Sequence, residues 1–87
     1  MKNSKTAERK FSMTVSAPHT FAQEERDFLS QVVTEEIKKG ADIIVDEVFE
    51  ERNADEYILS GDSVSAERLA EAMADYVECK VVLKEVQ

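Results

Sequence analysis

Phe11-Ser12-Met13-Thr14-Val15-Ser16-Ala17-Pro18 alternates apolar and hydroxyl side chains for seven residues and then stops at a proline. A period of two is that of a half-buried strand, with Phe11, Met13, Val15 and Ala17 on one face and Ser12, Thr14 and Ser16 on the other. Pro18 lacks the N–H that would continue the ladder.

The pattern changes beyond Pro18. Thr20 and Gln23 have the spacing of a capping box, and Phe28, Leu29, Val32, Val33 and Ile37 follow at helical intervals up to Gly40. The spacing predicts a helix over 21–39, with Gly40 past its C-terminus. Residues 41–51 read as a second strand. Ile43, Val45 and Phe49 would share its buried face, but so would Glu47. Either Glu47 lies at an exposed end, or a bulge near Asp46 resets the register. Residues 52–55 read as a turn and 56–60 as the returning strand of a hairpin. Ser65 is the expected cap of a second helix, with Val64 and Leu69 as a hydrophobic staple and Leu69, Met73, Tyr76 and Val77 on its apolar face. Cys79 to Val86 is the last strand, with Val81 and Leu83 on one face and Lys80, Val82 and Lys84 on the other.

The order β-α-β-β-α-β implies a ferredoxin-like sandwich, an α+β fold. A four-stranded antiparallel sheet has both helices on one face and the first strand at its centre. Residues 9–87 form the single α+β domain, and residues 1–8 read as a disordered basic leader. This fold hosts many unrelated functions, so function must come from the side chains.

Charge is the strongest feature. The chain of 87 residues carries 19 acidic and 11 basic side chains, a formal net charge of −8. Residues 20–78 alone hold 17 acids against Arg26, Lys38, Lys39, Arg52 and Arg68. Such a body repels phosphate backbones and anionic membrane surfaces and attracts basic partners. Two acidic regions stand out. Glu67, Glu71 and Asp75 recur every four residues on the second helix, with Glu78 after them. Asp46, Glu47, Glu50, Glu51, Asp55 and Glu56 surround the hairpin, opposed by Arg52. Like charges four apart on a helix cost a few tenths of a kcal/mol per pair, about the scale of opposite-charge gains. Either these carboxylates are a solvated face and a protected strand edge, or they are a surface for a cationic macromolecule.

Other chemistries find little footing. One Cys excludes an intramolecular disulfide, and one Cys with one His falls short of a structural zinc set. The acidic run lacks the D-x-D-x-D-G pattern of a calcium loop. His19 reads as a loop residue and Cys79 as a small buried hydrophobe. The chain has no serine-nucleophile motif and too few glycines for a phosphate-cradling loop. Ala17-Pro18-His19-Thr20-Phe21 lacks the glycines and arginine of an acylphosphatase-like anion loop. Ser12, Thr14 and Ser16 supply no aromatics for stacking RNA bases.

In size and acidity the chain is similar to small phage or mobile-element inhibitors of nucleic-acid-handling enzymes, some anti-CRISPR proteins among them. That likeness is one of physical type and carries over no residue. The expected function is a non-enzymatic inhibitor without cofactor, a DNA mimic that lays its acidic helix and hairpin on a basic nucleic-acid-binding protein. Neither nucleic acid nor a membrane is a direct partner in this reading. Met1-Lys2-Asn3-Ser4-Lys5 has no apolar stretch behind it to read as a signal peptide, and a cytoplasmic location is the expectation. The alternative is a small regulatory or structural domain that forms a homodimer through its sheet, for which Val82 and Val86 leave apolar surface to cover.

Overall fold

The computed structural model describes residues 9–76 and 79–86, with Tyr76 through its backbone alone. Six elements follow one another: β1 (Arg9–Ser16), α1 (Gln23–Lys38), β2 (Ile43–Glu50), β3 (Ala54–Gly61), α2 (Ser63–Tyr76) and β4 (Lys80–Val86). The sheet order is β2-β3-β1-β4 with every neighbouring pair antiparallel, which is the ferredoxin-like arrangement. The basic leader, Val77 and Glu78 lie outside the described residues.

The period of two in β1 explains the layers. Phe11, Met13 and Val15 are buried beneath the helices. Their core neighbours are Ile43 of β2, Tyr57 and Leu59 of β3, Leu29, Val32 and Val33 of α1, and Ala66, Leu69 and Met73 of α2. Lys10, Ser12, Thr14 and Ser16 point to the other face, which no element covers among the described residues.

Three local expectations are corrected. The N-cap of α1 is Ala22 and not Thr20. A carboxylate oxygen of Glu25 takes the Ala22 N–H at 2.8 Å, so the third helical residue does the capping. The N-cap of α2 is Asp62 and not Ser65. Its carboxylate accepts the N–H groups of Val64 and Ser65 at 2.8 and 3.2 Å and the Ser65 hydroxyl at 2.8 Å. Val64 is exposed, so the staple does not form. Phe28 and Ile37 are partly exposed instead of buried, and Glu36 takes a place on the inward stripe of α1.

Gly40 ends α1 as expected. Its φ of 105° is left-handed, its N–H donates to Ile37 O, and the Ala41 N–H reaches back to Glu36 O, which together form a Schellman motif.

Of the two readings of residues 41–51, the bulge holds. The β2–β3 register shifts between Val45 and Glu47, leaving Asp46 unpaired. Glu47 and Phe49 thereby turn to the open face, opposite Ile58 and Glu56, and Val48 turns to the helix side opposite Tyr57. Phe49 is therefore not a core residue, contrary to the alternation.

The Asp62 cap gives a testable pH dependence. Hydrogen bonds from the Ser65 hydroxyl and N–H, outweighing partial desolvation, hold the Asp62 carboxyl below the ordinary range. A depressed folded pKa stabilises the fold above the unfolded value near 4 and is lost as pH falls through the folded value. Asp62→Ala is expected to lower the melting temperature by roughly 5 °C at neutral pH. That gap narrows as the pH falls below about 4; thermal melts across an acid series read both effects.

Candidate interaction surface

The carboxylates singled out by sequence fall on two opposite layers of the fold. Glu67, Glu71 and Asp75 are exposed on α2. Glu71 and Asp75 border a groove of about 460 Å³ between α1 and α2, where Lys39 and Arg68 also stand. Glu47 is exposed on the far side of the sheet, joined there by Glu51 and half-buried Glu56. Glu78 lies outside the described residues.

Three of the hairpin acids are engaged internally. Asp46, freed by the bulge, accepts the Ser60 hydroxyl and the Lys10 ammonium, the latter at 3.0 Å. Those two bonds, the serine's first, hold its carboxyl below the usual range. Glu56 accepts the Ser12 hydroxyl at 2.5 Å. Asp55 was expected in a surface turn, but it belongs to β3 and is 1% exposed. The Arg26 guanidinium meets it twice, Nε at 3.1 Å and Nη2 at 2.9 Å. Arg26 also donates to Glu51 O, lies 5.7 Å over the Phe21 ring and has Glu50 at 3.9 Å. Asp55 is a structural tie between α1 and the hairpin, and Glu50 leans toward the same cation. A continuous negative wall over helix and hairpin therefore does not form, because the sheet stands between its two halves.

The open sheet face is organised differently. The registers set four rows across β2, β3, β1 and β4 in turn. The first row is Ile44, Ser60, Lys10 and Val86, and the second is Glu47, Ile58, Ser12 and Lys84. The third is Phe49, Glu56, Thr14 and Val82. The fourth carries Ala54, Ser16 and Lys80, completed by Glu51, whose N–H bonds Ala54 O. Glu51 also borders a hollow of about 210 Å³ on this face with Thr14, Phe49, Ala54 and Glu56. Ile44, Phe49, Val82 and Val86 are 60%, 49%, 38% and 43% exposed. Large apolar side chains at both edges of one bare sheet face are more than the scattered exposure normal for a surface.

Sequence reasoning sets Lys80, Val82 and Lys84 on one face and picks out Val82 and Val86 as apolar surface to cover, but it misses Ile44 and puts Phe49 on the buried face. A signal was present. Glu47-x-Phe49-x-Glu51 and Lys80-x-Val82-x-Lys84 share one charge–apolar–charge spacing with opposite sign, and they lie along the two edges of the sheet, with Glu51 one residue past the end of β2. Only the bulge brings the first set onto the open face.

The lone histidine and cysteine have local roles. His19 Nε2 lies 2.7 Å from Glu25, the residue that caps α1, and the ring sits edge-on to Phe21. Burial, with a smaller contribution from the Glu25 charge, pushes the Cys79 thiol up, away from thiolate reactivity. No group of three or more His, Cys, Asp and Glu among the described residues is placed to hold a metal ion. No helix among them is long and apolar enough to cross a membrane.

No family model matches the chain, and no curated protein matches it in sequence. Among solved structures, it is similar to the uncharacterized protein TM1266 from Thermotoga maritima, with a TM-score of 0.60 and 12% identity over 92% of this chain and 99% of that one. It is also similar to CPII, a nitrogen regulatory PII-like protein from Thiomonas intermedia K12 bound to ADP, AMP and bicarbonate. There the TM-score is 0.51 and the identity 13%, over 92% of this chain and 91% of that one. At these identities the likeness is one of fold: the chain is a ferredoxin-like α+β domain, similar in architecture to a PII-like regulatory protein.

Proposed function

We propose that the chain is a non-enzymatic association domain that works as a homodimer built through its open sheet face. The observation that carries this reading is the chemistry of the two edges. Exposed apolar side chains flank both, with Glu47 and Glu51 along one and Lys80 and Lys84 along the other. A face that is negative on one side and positive on the other fits a second copy of itself, and self-complementarity is the requirement of a two-fold contact. Four strands about 4.8 Å apart and seven residues long give a footprint of roughly 19 by 23 Å, about 440 Å² per copy, which is the size of a weak, concentration-dependent contact. Light scattering of the full chain is expected to show a mass that rises toward twice 9.8 kDa with concentration. Phe49→Lys is expected to hold it at the single-chain mass, while a wild-type chain that stays at 9.8 kDa throughout removes the proposal.

A second reading rests on α2 alone. Glu67, Glu71 and Asp75 are exposed at one-turn spacing, and no ion pair among the described residues engages them. This row would approach the basic groove of a nucleic-acid-binding protein, as an inhibitor of phage or mobile-element type does. It offers about one charge per 6 Å, against one per about 1.7 Å of duplex DNA. Reversal of all three to Lys should abolish capture of basic nucleic-acid-binding proteins at low salt. Capture that survives the reversal removes this reading.

A further inference from the structure

We propose that the two copies are related by a two-fold axis parallel to the strands, so that β2 of one copy lies over β4 of the other. The proposal rests on association through the open face and adds its geometry. Such an axis keeps each row in place and exchanges its ends. Ile44 then meets Val86 of the second copy, Glu47 meets Lys84, Phe49 meets Val82, and Glu51 meets Lys80. Every edge position finds a side chain of matching kind: apolar on apolar in two rows, acid on base in the other two. In the middle, Glu56 falls over the Thr14 hydroxyl of the other copy, a donor for its second oxygen.

The other in-plane axis, across the strands, lays β2 on β2 and β4 on β4, and centred on the four rows it mismatches each of them. It would set Glu47 on Phe49 and Lys84 on Val82, and would leave the two acidic edges facing each other. Two chains of net −8 repel as they approach, so the orientation is decided by which one brings opposite charges together. The Lys10–Asp46 pair is already neutral at the centre of the face, and the Glu56 carboxylate keeps its charge but has one hydroxyl donor in Ser12 before the Thr14 hydroxyl of the second copy adds another. The hollow beside Phe49 gives Val82 of the second copy a place to enter.

Sedimentation equilibrium of the full chain with Glu47→Lys, with Lys84→Glu and with both tests the axis. Each single change breaks its contact twice, because the two-fold repeats it, and is expected to weaken dimerisation about tenfold. The double change exchanges the charges and is expected to restore the wild-type constant within about threefold, since row mates are again opposite. Both positions carry exposed side chains, and circular dichroism melts confirm folding. Single variants that dimerise like wild type, or a double variant weaker than either single, overturn the axis and leave the association standing. A wild-type chain that remains single overturns both.

Discussion

Asp55→Ala is expected to destabilise the fold by about 3–5 kcal/mol, because it leaves the Arg26 guanidinium without the buried carboxylate that pairs it. Asp55 is almost fully enclosed and meets Arg26 through two nitrogens, and Arg26 continues to Glu51 O and the Phe21 ring. This cluster joins α1 to the β2–β3 hairpin across 29 residues of sequence. A domain of this length has about 4–13 kcal/mol of total stability, so the loss approaches the lower end of the whole. Replacing both partners with apolar residues, Arg26→Met with Asp55→Leu, is expected to recover most of the loss, because no buried charge then lacks a partner. Urea unfolding read by circular dichroism checks both. A single variant within about 1 kcal/mol of wild type would mean that water reaches the pair freely.

Gly61→Ala is expected to cost about 3 kcal/mol. A Cβ on Gly61 would lie 2.0 Å from Asp42 O and 3.0 Å from Ile43 Cα, both backbone atoms, so no rotamer relieves the clash. The displaced carbonyl accepts the Asp62 N–H, and the Asp42 N–H bonds the Ser65 hydroxyl, which itself donates to Asp62. The substitution therefore strains the start of β2 and the cap of α2 together. Gly40→Ala makes a useful contrast, since an added Cβ there meets nothing within 4 Å and the cost comes from its positive φ alone. A Gly61 variant as stable as wild type would show that β2 shifts without penalty.

The fold was legible because its strongest signals are local. The alternation from Phe11 to Ala17, the helical run ending at Gly40 and the apolar residues of β4 each follow from one short window. The caps were less so. Ser65 lies three residues after Asp62 and Thr20 five before Glu25, and their side chains suit the same role. The bulge at Asp46 was one of two readings that the pattern Ile43, Val45, Glu47 and Phe49 allowed, and only pairing with β3 decides between them.

The placement of the carboxylates is illegible for a different reason. Sequence records the number of carboxylates but not which layer receives each. Asp55 looked like a turn residue because its cation lies far upstream in α1, and the rows of the open face exist only once four separate strands are in register. Glu47 and Lys84 are 37 positions apart in the chain, yet they are the two ends of one row.

The most direct test of the face-to-face pair is chemical cross-linking in a Cys79→Ser background, with Phe49→Cys and Val82→Cys in the same chain. A bis-maleimide too short to span the roughly 14 Å between β2 and β4 of one copy can join these thiols only between copies. The account predicts a covalent dimer from the doubly substituted chain and single chains from either substitution alone. Single chains throughout, or a dimer from Phe49→Cys by itself, would contradict it.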